Sequence, residues 1–244
     1  FLEQNGLDPD KPVVFWAGST PYANSESELD RVWQKRFKNR FLSFEAYRAW
    51  YFDNTMALNH SLEMIRRLAR DVSQDASIII KPHPAEKDSN YDLLRDNCPS
   101  IVFIPQSRPI ESIIHYCDIL LHFRCTTSIE RWLIDITSPT IHMTHKDLTQ
   151  PELKQHIFKG SDVVLDYDSL YERVNGYLKG NKVSEELIEY REQFIEDYLY
   201  AADSKRAEHS AQLIDEFLKN SYRRRRFSKE FLIAVLIMET LMLG

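Results

Sequence analysis

The sequence predicts an α/β protein with a mainly parallel sheet and helices on both faces. Three observations lead there. Short, apolar, strand-length runs recur at Val13–Ala17, Ser77–Lys81, Ile101–Ile104, Asp118–His122, Pro139–Met143 and Val163–Leu165. Segments with helical spacing separate several of them, and strand–helix–strand alternation implies right-handed crossovers between parallel strands. From Ser184 onward the strand signals stop and helix-like segments follow.

The chain opens on Phe1, with no initiator Met and no signal-peptide pattern, so an upstream segment is expected. Residues 6–12, rich in Gly, Asp and Pro, read as a linker into the first strand, which ends at Gly18-Ser19-Thr20-Pro21. A polar, aromatic-rich stretch follows. Met56, Leu58, Leu62, Ile65, Leu68 and Ala69 then mark a helix from about Thr55 to Val72. A short helix near 90–96 separates the second and third strands. Pro109 to Tyr116 reads as a helix with Pro in its first turn. Further helices are expected from Thr126 to about Ile136 and from Ser169 to Leu178. The triplet Asp166-Tyr167-Asp168 looks like a DxD metal motif, but its place between strand and helix favours a helix N-cap. The expected organisation is a sheet domain over 1–183, helices over 184–221 packing on it, and a basic, apolar tail over 222–244. The tail's apolar run, Phe231 to Leu243, is too short to span a bilayer. Beside Arg223–Arg226 it suits the surface of an anionic membrane, or a terminal helix packed on protein.

Composition narrows the function. With 43% hydrophobic and 28% charged residues among 244, the chain carries enough apolar material for a sizeable core. A net charge of −6 argues against general nucleic-acid binding. Cys98, Cys117 and Cys125 lack CxxC spacing and cannot all pair, which points to a reducing, cytoplasmic setting and away from structural zinc. Only six glycines occur, and neither GxGxxG nor GxxxxGK[ST] can be written with them. Any phosphate must therefore be held by side chains and a helix N-terminus.

Two strand exits carry such groups, and in open α/β sheets ligands sit beyond the carboxyl ends of the strands. After the second strand comes Lys81-Pro82-His83-Pro84. Its prolines stiffen the loop, so His83 is positioned at small entropic cost to donate to, or protonate, a phosphate. Lys81 adds a cation there, or is a solvated charge. After the strand 118–122, Arg124 is suited to pairing with phosphate, and Thr126, Thr127 and Ser128 stand at a helix start. Glu130 either closes a capping box with Thr127 as N-cap or binds a ribose or base. Gly18 and Ser19 line the cleft or form a simple turn. His122, His142 and His145 read as structural, and no metal ligand set is expected.

The segments Lys81-Pro82-His83-Pro84 and Cys125-Thr126-Thr127-Ser128-Ile129-Glu130 resemble the C-terminal half of GT-B-type bacterial surface-polysaccharide transferases. That group includes capsule sialyl- and Kdo-type transferases, teichoic-acid polyol-phosphate transferases and surface carbohydrate biosynthesis proteins. The resemblance covers roughly residues 7–145 and, more weakly, Glu196–Leu218. Thr137-Ser138-Pro139 and Ser204 depart from it, standing where relatives often carry glycine. It implies a Rossmann-like donor-binding domain, half of a GT-B fold, with His83 and Thr126 or Thr127 on the donor's phosphates. The implied donor is a CMP-, CDP- or UDP-linked sugar or a polyol phosphate, with no further cofactor. The acceptor would be a glycan or a lipid-linked acceptor, and the protein would be cytoplasmic or peripheral to the inner face of the membrane. The general base would come from a separate N-terminal domain. Two other readings are a nucleotide-sugar 2-epimerase, disfavoured because Thr126-Thr127-Ser128 replaces its usual Gly-Gly pair, and a non-catalytic nucleotide-sugar binding or assembly domain.

Overall fold

The computed structural model describes residues 1–146 and 159–199. Its strands β1 (Val13–Ala17), β2 (Ser77–Lys81), β3 (Ile101–Phe103), β4 (Ile119–His122), β5 (Thr140–Met143) and β6 (Asp162–Val164) form one sheet in the order β3-β2-β1-β4-β5-β6. Every neighbouring pair is parallel. β1, β2, β4 and β5 are buried along their whole length, as strands covered on both faces must be.

The described helices are α1 (Leu29–Val32), α2 (Phe44–Asp71), α3 (Asp92–Asn97), α4 (Thr127–Ile134), α5 (Tyr167–Leu178) and α6 (Glu185–Leu199). One face of the sheet presents Val14, Trp16, Ile78, Ile80 and Leu121 to Leu58, Ile65 and Leu68 of α2, Leu94 of α3 and Leu170 and Val174 of α5. The other presents Val13, Phe15, Ile79 and Leu120 to Ile113, Cys117 and Cys125, with α4 alongside β4. Helices thus cover both faces, as expected.

Several boundaries differ from expectation for identifiable reasons. The long helix begins at Phe44, well before Thr55. Ser43 caps it by accepting from the Ala46 N–H at 3.2 Å. Its first turns are held by aromatic packing of Tyr47 and Trp50 on Phe37 and Phe41, which a search for aliphatic periodicity passes over. Pro109–Tyr116 is a pair of 3₁₀ turns, Ile110–Ser112 and Ile114–Tyr116, rather than a helix. The opening residues are not a loose linker. Leu7 is buried in the core, and the Phe1 ring stacks on Tyr116 at 4.9 Å with the Arg108 guanidinium over it at 4.6 Å. Asp166 is the N-cap of α5, its carboxylate accepting from the Ser169 N–H at 2.9 Å.

The chain divides into two compact units, Phe1–Phe194 and Ile195–Gly244. Residues 200–221 of the expected helical segment and the tail over 222–244 lie outside the described residues. Among the described residues, no helix is long and apolar enough to cross a membrane.

Candidate functional site

In this strand order the chain leaves β1 toward β2 on one side and β4 toward β5 on the other. The carboxyl ends of β1 and β4 therefore flank the topological switch point, where open α/β sheets bind ligands. Pairing places Ala17 of β1 between Lys81 of β2 and His122 of β4, and His122 beside His142 of β5. Beyond this last row lie all three segments singled out from the sequence. Gly18, Ser19, Lys81, His83, Arg124, Thr126, Thr127 and Ser128 share one end of the sheet. β2 and β4 stand two strand spacings apart, about 10 Å.

A buried carboxylate that sequence reading missed ties two of these segments together. Oε1 of Glu86 accepts from the Thr20 N–H at 2.7 Å and the Thr20 hydroxyl at 2.6 Å. Oε2 accepts from the His83 N–H at 2.9 Å and the Tyr91 hydroxyl at 2.6 Å. Burial, and then the Glu86 charge, push the Tyr91 phenol well above its ordinary range, so it stays a donor. A Cβ on Gly18 would stand 2.5 Å from Glu86 Oε2 and 2.7 Å from the His83 nitrogen. Gly18 is thus required by close approach of the two loops, not by a turn. The available signal was His83-x-x-Glu86, the i,i+3 spacing with which a carboxylate reaches back to a backbone N–H.

The β3 exit braces the same loop. Gln106 Nε2 donates to the carbonyls of His83 at 3.1 Å and Glu86 at 2.9 Å, while Lys81 Nζ donates to the Gln106 carbonyl at 3.4 Å. Lys81 is buried rather than solvated. Burial lowers its pKa, opposed by the charges of Glu86, Cys125 and Glu111. His83 accepts from the Ala85 N–H through Nδ1 at 3.0 Å, which puts the ring proton on Nε2 as a donor.

On the β4 side, the Ser19 hydroxyl donates to the Phe123 carbonyl across the switch point. Arg124 takes a left-handed φ of 50°, at a cost of about 1–2 kcal/mol, as the chain turns from β4 toward α4. Its guanidinium lies 4.9 Å from the Phe123 ring centroid. Burial lowers its pKa, and Asp53 on α2 opposes that shift.

The expected capping box is not formed. Thr126, not Thr127, is the N-cap, and no side chain caps it. Thr127 Oγ1 instead accepts from the Cys125 thiol at 3.2 Å, and Ser128 Oγ donates to the Cys125 carbonyl at 2.8 Å. Side chains therefore do not close this helix start, and Thr126 is exposed there. Glu130 Oε2 is buried without a hydrogen-bond partner, and burial, then Glu111, raise its pKa.

The histidines outside the loop read as structure. His122 and His142 are buried with ring centroids 5.4 Å apart, and His122 Nε2 pairs with the Ser161 hydroxyl at 3.1 Å. His145 meets the ring of His60 edge-on at 5.0 Å. Among the described residues, no group of three or more His, Cys, Asp or Glu is arranged to hold a metal ion.

Strand order and sense define a Rossmann-like parallel α/β domain. No protein-family model matches the chain, and no curated protein matches it.

Proposed function

We propose that this domain binds the nucleotide-activated donor of a GT-B-type glycosyl or polyol-phosphate transfer in surface-polysaccharide synthesis. The observation carrying this reading is that a stiffened, Glu86-anchored His83 loop and the α4 N-terminus stand at the same end of the sheet, on either side of the β1 exit. Neither part relies on a glycine loop. In this reading the His83 Nε2–H donates to the donor phosphate, and the positive end of the α4 dipole stabilises the charge that grows on it as the bond to the transferred unit breaks. Arg124 and Lys81 supply positive charge from the two sides. Acceptor and general base are contributed from elsewhere in the full enzyme.

Calorimetric titration of CMP, CDP and UDP into the wild-type chain and into His83→Ala tests it. Loss of one hydrogen bond to a charged group is worth about 1.5–3 kcal/mol, so at least one nucleotide should bind about tenfold more weakly or worse to the variant. No nucleotide binding, or binding indifferent to His83, would sink the proposal. Nucleotide binding by this chain, with no product formed by the full enzyme given a donor and a defined acceptor, would instead favour a non-catalytic binding domain.

A further inference from the structure

Between β1 and α2 the chain builds a small cap beside the candidate site. Tyr22 and Asn24 take left-handed φ values of 66° and 56°. The Tyr22 N–H donates to the Ala85 carbonyl at 3.1 Å and Lys87 Nζ to the Asn24 carbonyl at 2.9 Å, fixing the cap to the His83 loop. Its interior is a cluster of rings centred on Trp33, Phe37 and Tyr47. Its exterior has a different chemistry. Lys35, Arg36, Lys38, Arg40 and Arg48 are all exposed, and among the described residues none of them pairs with a carboxylate. Glu45 is the one acid in residues 31–48, while Glu26, Glu28 and Asp30 stand at the other end of the cap, Glu28 paired with Arg31 at 2.7 Å. At the turn between these cations, Leu42 is fully exposed, at 105%. Farther along α2, Phe52 and Met56 are also exposed, at i+4 and i+8 from Arg48 on one strip of the helix.

We propose that this cap docks on an anionic lipid surface, its cations on the headgroups and Leu42 entering the headgroup–acyl boundary. Separated cations around an exposed apolar tip suit that interface, where charge and apolar burial act together. A soluble polyanion would satisfy the cations but leave Leu42 in water. The proposal does not rest on the nucleotide reading. It also concerns a segment distinct from residues 222–244.

Flotation of the full chain with vesicles of phosphatidylcholine alone, or with about one third phosphatidylglycerol, tests it. Binding should require phosphatidylglycerol and fall with salt. The double substitution Lys38→Glu/Arg40→Glu should lower the partition coefficient at least about tenfold, and Leu42→Ser several-fold. The substituted side chains are exposed, so shared unfolding temperatures would certify folding. The proposal is overturned by absent binding, by equal binding to neutral vesicles, or by binding that survives the double substitution and is lost when Arg223–Arg226 are changed to Ser. It is also overturned if Leu42→Ser changes nothing while soluble polyglutamate competes the protein off vesicles, which would assign the cations to a soluble polyanion.

Discussion

Glu86 illustrates how one side chain organises two loops. Each carboxylate oxygen accepts from one backbone N–H, Thr20 on one side and His83 on the other. An amide cannot replace it in either orientation, because its NH2 must then face one of those donors. Glu86→Gln should therefore destabilise the fold by about 1–3 kcal/mol, the cost of an unmade buried hydrogen bond. It should also weaken whatever binding depends on His83. Urea denaturation of the purified variant reads the first effect, and an unchanged midpoint would show that the carboxylate is not needed to hold the loops. Residue-scale legibility was uneven for the same reason. His83 stood out by type and position, whereas the close approach that requires Gly18 and the role of Glu86 depend on Thr20, His83 and Tyr91, which sequence does not place beside them.

At the scale of elements, strands were the most legible. Their apolar runs are short, continuous and bounded, so β1 and β2 begin and end within a residue of expectation. Helices were harder where packing rather than periodicity decides them. The first turns of α2 depend on an aromatic cluster with Trp33 and Phe37, and the 109–116 segment buries Ile113 and Ile114 without forming a regular helix. Arg191 of α6 is a second case. It is fully buried, donates to the carbonyls of Gly160 at 2.7 Å, Ile136 at 2.7 Å and Ser138 at 2.9 Å, and donates to Thr140 Oγ1 at 2.9 Å. Burial pulls its pKa down to about 10, which leaves it charged at neutral pH. A charged residue in an amphipathic helix reads from sequence as part of a solvated face, yet here it ties α6 to the segment between α4 and β5. Arg191→Met should cost on the order of 3 kcal/mol by stranding three carbonyls, measured as a fall in thermal or urea stability. A loss below about 0.5 kcal/mol, the range of ordinary surface changes, would refute that role.

For the whole molecule, the paired histidines at the sheet's end make stability depend on pH. Burial, then the charge of Arg191, hold the pKa of His122 down to about 3, and burial, then His122 and Arg124, hold His142 well below its ordinary value. Both folded-state pKa values lie under the unfolded value near 6.5, so the unfolded chain takes up more protons as pH falls. Their contribution is complete above about pH 6.5 and is lost as the pH drops toward the folded values, at up to about 1.4 kcal/mol per pH unit for each. Between pH 7 and 5, urea stability should fall by about 2 kcal/mol through His122, with His142 adding in the same direction, and His122→Gln should remove the first share. A stability that does not change over that interval would mean these rings are solvated.

The sequence by itself determined the α/β class, the strand positions, the absence of glycine phosphate loops and the two exits that carry His83 and Thr126, because each depends on local composition and spacing. Only the tertiary structure decided that β1 lies between β2 and β4, placing those exits on either side of β1 at one end of the sheet. It also decided that Lys81 and Arg191 are buried, that Glu86 clasps two loops, and that Thr127 turns to Cys125 instead of capping α4. Those outcomes depend on which distant groups meet in a space closed to water. There, an unpaired polar group costs more than any local preference contributes.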